Sequence, residues 1–477
     1  MLSARCGLVD IFHTFCYAPF CLSGFMLTQA GGHLLKNANF TEGKILSPLI
    51  QFVFPIIFSL FLQSLYGAVD LLVVGHFADA ANVSAVSIGS QLMQSITFVI
   101  TDMSLGTTVL LGQMIGQGKM KDAGHMVGVS VAFFLSLGIL VAVGMQFLAA
   151  GAADLLQAPA ESFAPAVSYI RICCGGAVFI VAYNILGSIF RGIGNSRMPL
   201  ITVAIAAVFN IFGDLYFVAV LGLGAAGAAL ATVLSQALSV IISLIIIRKS
   251  GVPFSITRSD LCLDIKVIRR ILTVGLPIAL QDLLVSISFL IILAIVNSLG
   301  VIASAGVGVA EKLCGFIMLV PSAFSQSMSA FVAQNFGAHK MDRARRALLY
   351  GVAISFGCGL VLGYLSFFHG VSLSAIFTND RTVQLAAAEY LKAYGIDCLL
   401  TAFLFCLIGY FTGCGMTTFV MLQGIAGAFL VRVPLSLLFS RIDPVSLFRI
   451  GLATPCSSLV QNLLCFWYLY RSRKKLG

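Results

Sequence analysis

The sequence predicts an all-α integral membrane protein, with twelve transmembrane helices in two six-helix bundles related by a parallel internal repeat. Hydrophobic residues make up 59% of the 477 residues, charged residues make up 10%, and the mean hydropathy is +1.03. Soluble domains are about a quarter charged. A soluble core cannot hide this much apolar surface from water, whereas a bilayer can.

Twelve apolar segments follow one another from residue 46 onward. In lipid only helices and closed barrels satisfy the backbone polar groups, and the alternating pattern of barrel strands is absent, so each segment is predicted to be a helix. The predicted spans are 46–76, 84–113, 126–150, 163–188, 199–220, 227–247, 271–297, 303–333, 347–369, 388–411, 416–439 and 450–470.

Lys and Arg are distributed unequally between the two sets of loops, which predicts the orientation in the membrane. One set, together with the C-terminal tail, carries eighteen basic residues, and the opposite set carries only Arg381, Arg441 and Arg449. We therefore expect a multi-pass protein of the bacterial cytoplasmic membrane with both termini in the cytoplasm, which requires an even number of spans.

A motif recurs between the two halves of the chain. Residues 113–123 read QMIGQGKMKDA, and residues 334–344 read QNFGAHKMDRA, at an offset of 221 residues. The same offset pairs Tyr169 with Tyr390, and an offset of 222 pairs Pro55 with Pro277. Six spans per half give both halves the same orientation, so the predicted pseudo-twofold axis lies along the membrane normal.

Four segments are predicted from this pattern. They are an N-terminal appendage at 1–41, an N-terminal six-helix bundle at 42–250, a basic cytoplasmic linker at 251–270 and a C-terminal six-helix bundle at 271–477. The appendage is apolar over residues 7–29, but its flanks fit a signal peptide poorly. We interpret it as a dispensable extension or a start-codon artefact.

Composition and motifs argue against several other classes. The net charge of +10 is spread over short loops, which does not indicate nucleic-acid binding. The 13 cysteines and six histidines show no metal-ligand spacing. No phosphate-binding loop, H-E-x-x-H motif or catalytic triad is recognisable, so we predict neither an enzyme nor a cofactor.

Carboxylates inside apolar spans are the main functional candidates, because each costs about 2.5–3.5 kcal/mol or more at a helix centre. Gln63, Tyr66 and Asp70 share one face of the first span, and Asn210 and Asp214 share one face of the fifth. Such polar faces suit a shared proton or cation. Structural hydrogen bonding between helices is the alternative explanation.

Other acids in the spans are secondary candidates. Asp102 on the second span is positioned to face the same cavity, and Asp282 lies five residues after Pro277, near the cytoplasmic end, where water has access. Glu311 is adjacent to Lys312, but neighbouring residues diverge on a helix and make no simple ion pair. A structural or solvated role is at least as good an explanation for these three acids, and also for Asp397.

The chain resembles the multidrug and toxic compound extrusion (MATE) family over roughly residues 42–470. The segments that carry the resemblance are Pro55, LQSLY at 62–66, Asp70, Gly75, Gly106, GQMIG ending at Gly116, RGIGNSRMP at 191–199, NIFGD at 210–214, GLGAAGAALAT at 222–232, GLPIALQ at 275–281 and QNFGA at 334–338. The resemblance implies two bundles around a V-shaped central cavity.

The resemblance also implies a coupling-ion site. In DinF-like members a polar network in the N-terminal bundle is thought to couple transport to protons or sodium. Here it falls on Gln63, Tyr66, Asp70, Asn210, Asp214 and Thr232, with sodium, if it is the ion, held by Asp70, Asn210, Asp214 and Thr232. NorM-like members also use acids in the C-terminal bundle, but the matching tenth-span position is Thr401, which favours the N-terminal site.

We therefore expect a monomeric antiporter, coupled to protons or sodium, that exports amphipathic, mostly cationic organic compounds. A lipid-linked precursor flippase of related architecture is the alternative within transport, but it needs a cationic cavity for phosphates, and the best candidates here are acids. An integral-membrane enzyme is the rival from another class.

The charge distribution predicts that loop 248–270 is open to the cytoplasm only. Single cysteines placed there are expected to react with membrane-impermeant thiol reagents in inverted vesicles and to stay unlabelled in intact cells. The opposite labelling pattern would overturn the predicted orientation.

Overall fold

The computed structural model describes residues 40–476, and these form helices and connecting loops without a β-strand. Residues 1–39, most of the predicted appendage at 1–41, lie outside the described part. The helices agree with the predicted spans, apart from ends that shift by several residues and breaks inside four of the spans.

The N-terminal half contains six spans. They are α1 (Leu46–Phe77), α2 (Ala80–Gly116), α3 (Met120–Leu155), α4 in two pieces, α4a (Ala160–Gly175) and α4b (Ala177–Ile193), α5 (Arg197–Asp214, continuing as a π-helix over Leu215–Val220) and α6 (Gly224–Ser250).

The C-terminal half repeats this order. Its spans are α7 (Ile265–Asn297), α8 in two pieces, α8a (Val301–Ile317) and α8b (Leu319–Gly337), α9 (Met341–Phe368, followed by a short helix at Gly370–Ser374), α10 (Arg381–Gly413), α11 (Thr417–Ala426, a π-helix at Gly427–Arg432 and Val433–Phe439) and α12 (Leu447–Leu476).

Length and apolarity identify most of these helices as membrane spans. Within residues 40–476, ten helical segments are long and apolar enough to cross a bilayer, and the two pieces of α4, bent by 50°, make an eleventh. The twelfth, α12, has 30 residues but is more polar. Its polar residues are buried against the bundle and do not face lipid, so this helix can be less hydrophobic than the others. They are Ser457, Ser458, Gln461 and Asn462.

The first helix of each half bridges the two lobes, which are the N-terminal and C-terminal six-helix bundles. Near the start of α1, Leu49 and Phe52 pack in one core cluster with Met328 and Phe331 of the C-terminal half. Near the start of α7, the backbone approaches α2 so closely that a Cβ on Gly275 would overlap the Met103 carbonyl. The lobes are therefore joined by interdigitated helices.

The repeated Gln-x-x-Gly motif forms a pseudo-symmetric contact between the lobes. The Gln113 side-chain amide donates to the Gly413 carbonyl at 3.0 Å, and that of Gln334 donates to the Gly192 carbonyl at 2.9 Å. Gly116 and Gly337 let the two backbones meet there, because a Cβ on either glycine would overlap the backbone of the opposite half. This contact lies next to the basic loops.

The linker between the halves is docked on α3. It is shorter than the predicted 251–270, since α7 already begins at Ile265. Asp260 pairs with the ring of His125 at 3.0 Å and accepts from both the backbone and the hydroxyl of Thr257. Hydrogen bonds from Thr257, and then from His125, lower the pKa of Asp260 to about 2. The Asp260 carboxylate therefore stabilises the folded state fully at pH values above its unfolded pKa of about 4. This stabilisation is lost as the pH falls toward 2.

The crossing of α2 and α7 leads to a stability prediction. Gly275→Ala is expected to lower the free energy of unfolding by about 1–3 kcal/mol, because the new methyl group meets backbone that cannot move cheaply. Thermal unfolding in detergent, followed by fluorescence-detected size exclusion, measures this loss. Gly144→Ala is the matched control, since a Cβ there meets nothing within 4 Å. An equal effect of both substitutions would contradict the packing argument.

Candidate functional site

Two carboxylates meet inside the N-terminal lobe. Asp70 of α1 is 6% exposed and Asp214 at the end of α5 is 0% exposed. The two carboxyl groups lie within interaction range of each other, and the Asn210 amide lies within reach of Asp70. The Thr232 hydroxyl on α6 donates to Oδ2 of Asp70 at 3.3 Å. The structure thus brings together four of the predicted site residues.

Most of the polar side-chain atoms in this cluster make no well-formed hydrogen bond to the described residues. Neither oxygen of Asp214, nor Oδ1 of Asp70, nor either amide atom of Asn210 makes a well-formed hydrogen bond to the described residues. A buried polar atom without a partner costs about 1–3 kcal/mol, and more if it is charged. Oxygen atoms in this arrangement suit a shared proton or a hard monovalent cation.

Local packing explains how Asp214 reaches this position. A Cβ on Gly213 would contact the methyl group of Ala231, so the glycine lets α5 approach α6 at the level of Thr232. Directly after Asp214 the helix continues as a π-helix over Leu215–Val220. Such widened turns are rare inside α-helices and are frequent at functional sites.

Tyr169 also lies beside this site, although no local pattern in the sequence predicts that position. Its side chain on α4a is 2% exposed and lies within electrostatic range of Asp70 and Asp214. Its ring packs against Gly89 of α2, where a larger residue would overlap it. The available signal was the repeat, which pairs Tyr169 with Tyr390 in the other half.

The two remaining predicted network residues have different outcomes. The side-chain amide of Gln63 donates to the Tyr183 hydroxyl at 3.1 Å, about two helical turns from Asp70. The structure therefore does not place Gln63 around the two carboxylates. The side chain of Tyr66 lies outside the described part of the chain.

Asp102 and Asp282 form a second carboxyl pair, located between the lobes. Asp102 on α2 and Asp282 on α7 lie within interaction range of each other, so the N-terminal half faces the C-terminal half through two acids. Asp282 is exposed and Asp102 is partly exposed in the protein alone. The pair thus lies where α2 of one half meets α7 of the other, and it does not belong to the Asp70 cluster.

Glu311 lies apart from both pairs, on α8a in the C-terminal lobe. It is partly buried, and its Oε1 has no hydrogen-bond partner among the described residues. In the same lobe the Thr401 hydroxyl donates to the Asp397 carbonyl at 2.9 Å. Both Glu311 and Thr401 therefore lie in the C-terminal lobe, apart from the Asp70 cluster.

The donor set of the Asp70 cluster limits what it can bind. Residues 40–476 contain no group of three or more His, Cys, Asp and Glu side chains able to hold a metal ion. Two carboxylates, one amide and one hydroxyl instead provide oxygen donors, which do not suit zinc or copper.

Two pseudo-symmetric six-helix lobes, with a buried oxygen-lined cluster inside one of them, form the kind of repeat architecture that many membrane transporters share. The model of the family described as MatE matches the chain twice, over residues 55–216 and 277–438. The chain therefore belongs to the MatE family, the multidrug and toxic compound extrusion transporters. The double match confirms the repeat predicted from the loop motif and the two prolines.

Curated relatives match nearly the whole chain. The probable multidrug resistance protein YpnP of Bacillus subtilis is 26% identical over 442 residues, covering 92% of this chain and 98% of the relative. The multidrug export protein MepA of Staphylococcus saprophyticus is 23% identical over 393 residues, covering 81% of this chain and 86% of the relative.

Solved structures share the fold. An outward-facing MATE transporter of the MOP superfamily superposes with a TM-score of 0.86 at 20% identity, covering 92% of this chain and 98% of the other. A MOP-superfamily transporter from Pyrococcus furiosus gives the same TM-score, identity and coverage.

Proposed function

We propose that this protein is an antiporter that exports amphipathic, mostly cationic organic compounds in exchange for one monovalent cation, a proton or sodium. The observation that carries the proposal is the buried pair Asp70 and Asp214, three of whose four carboxyl oxygens make no well-formed hydrogen bond to the described residues. The protein acts as a monomer in the cytoplasmic membrane, with both termini in the cytoplasm.

Electrostatics make the pair responsive to a cation. Two carboxylates in close range cannot both ionise cheaply in a low-dielectric interior, so the pair needs a proton or a bound cation. Among the described residues, no Lys, Arg or His forms an ion pair with Asp70 or Asp214. The membrane potential contributes about 2.3 kcal/mol per elementary charge per 100 mV to moving such an ion across the membrane.

The shape of α1 connects the cation to the transport path. Asp70 lies near one end of α1, while Leu49 and Phe52 near the other end pack against the C-terminal lobe. Pro55 lies between them and removes one helical hydrogen bond, which makes bending there less costly. A change at Asp70 therefore reaches the interface between the lobes through one helix.

Negative charge at the junction of the lobes supports the proposed substrate class. Asp102 and Asp282, both at least partly exposed, supply that charge for an organic cation. Relatives named multidrug resistance and multidrug export proteins support drug-like substrates. A flippase for lipid-linked phosphates would need cations at this place, and the acids argue against it.

Asp70→Asn is expected to reduce cation-driven efflux of ethidium to the level of cells without the transporter, because the pair loses an ionisable group. Efflux is measured in cells that express equal amounts of each protein. Asp154→Asn is the control, since Asp154 is exposed in the same lobe. Efflux by Asp70→Asn at the unmodified protein's rate would refute the assignment.

If Asp70 and Asp214 hold one cation together, substitutions at the two positions are not additive. Asp70→Asn, Asp214→Asn and the double variant are expected to lose the same coupling, measured as ethidium flux into proteoliposomes under imposed proton or sodium gradients. The gradient that drives the flux identifies the ion. A double variant that is much worse than either single variant would indicate two separate sites.

A further inference from the structure

A groove lies on the surface of the C-terminal lobe, between the first half of α7 and the start of α11, and its volume is about 510 Å³. The side chains that form its two walls are mostly apolar. They are Ile265, Leu272, Leu276 and Leu280 on α7, and Thr418 and Met421 on α11. The Thr417 hydroxyl donates to the Thr273 carbonyl at 3.2 Å, so the two helices are joined beside the groove.

The groove opens toward lipid. Leu276 and Leu280 are 50% and 42% exposed in the protein alone. On the opposite face of α7, Ile271 and Val274 are buried in core clusters with residues of the N-terminal half. Because the lobes are in contact at this level, the exposed face of α7 is directed away from the junction between them. A large apolar surface directed outward from a membrane span is covered by acyl chains.

Positive charge is concentrated at the end of the groove next to the basic loops. Arg269 lines the groove itself, and Lys266 and Arg270 lie within one turn of it on α7. All three side chains are exposed. Within residues 40–476, none of the three forms an ion pair with an acid. Arg269 therefore presents its guanidinium beside an apolar surface.

The acids nearest in sequence are engaged on another side of α7. Asp260 and Asp264 face the ring of His125 on α3, at 3.0 Å and 3.6 Å. Asp264 also accepts from the backbone amide of Lys266 and so caps the start of α7. The α11 wall contributes no charge, since its lining residues are a threonine and a methionine. The positive end of the groove thus suits an anion from outside the chain.

We propose that this groove binds an anionic phospholipid, with the phosphate at Arg269 and an acyl chain along α7. The lipid comes from the leaflet beside the basic loops, which is the cytoplasmic leaflet in the proposed orientation. From Ile265 to Leu280 the groove extends over about 22 Å of helix. This length exceeds the hydrocarbon depth of one leaflet, about 15 Å. Basic pockets between transmembrane helices on the cytoplasmic side bind anionic headgroups of lipids.

The repeat provides an internal comparison. The family matches begin at 55 and 277 and end at 216 and 438, an offset of 222 residues. At this offset Ser47 corresponds to Arg269, and Phe58 corresponds to Leu280. Phe58 is 54% exposed, so α1 also presents apolar surface there. Because α1 lacks the guanidinium, we expect it to contact lipid without preferring an anionic headgroup.

Tryptophan quenching by brominated lipids tests the proposal. Trp467 is the single tryptophan of the chain, so Trp467→Phe removes the background. Leu280→Trp or Phe58→Trp then places one reporter in the full-length protein, which is reconstituted in mixtures of phosphatidylcholine and phosphatidylglycerol. Brominating one lipid at a time gives their relative binding at the reporter. We expect phosphatidylglycerol to be preferred roughly fivefold at position 280 and about equally at position 58.

Charge variants identify the source of the preference. Arg269→Gln is expected to reduce the preference at position 280 to the level at position 58. Arg346→Gln is the matched control and is expected to keep it, because Arg346 is exposed on α9 and does not line the groove. Raising the salt concentration is expected to weaken the preference, since ions screen an exposed guanidinium.

Three outcomes would overturn the proposal. They are equal preference at positions 280 and 58, a preference that persists in Arg269→Gln, and loss of the preference when inorganic phosphate is added at constant ionic strength, which would indicate a small-anion site. If Leu280→Trp does not fold, Thr418→Trp on the opposite wall carries the same comparisons. Lipid binding is measured without transport, so the result does not depend on the proposed antiport.

Discussion

The structure depends on the cost of burying Asp70 and Asp214 side by side without a fixed positive charge. Three helices of the N-terminal lobe meet at this pair: α1 and α5 carry the acids, and α6 supplies the Thr232 hydroxyl. Oxygens left without protein partners are expensive in a low-dielectric interior. Two buried carboxyl groups at close range are less costly when they share a proton or hold a cation.

Interdigitated helices connect the buried acidic pair to the contact between the two lobes. Because α1 and α7 each begin against the opposite half, a rearrangement inside one lobe is connected to the contact between lobes. The reciprocal bonds of Gln113 and Gln334 fix that contact at one end. Close backbone crossings at glycines favour discrete packing arrangements over continuous deformation, as two-state motion requires.

The two lobes share a fold and differ in charge. Both halves have the same helix order. This shared fold buries the Asp70 and Asp214 pair in the N-terminal lobe, whereas in the C-terminal lobe it buries the guanidinium of Arg432 against Ser288 and Phe289.

The sequence by itself determined the membrane class, the helix order and the repeat, and it indicated Asp70 and Asp214 as candidates, because hydropathy, periodicity and intramembrane charge are local properties. It did not determine which polar residues meet. Gln63 shares a helical face with Asp70 but bonds to Tyr183, and Tyr169 lies near both acids from a distant helix. The pairing of Asp102 with Asp282 was likewise decided only by packing. Contacts between distant segments depend on how helices cross, and glycines such as Gly213 and Gly275 set those crossings through backbone approach that no local pattern records.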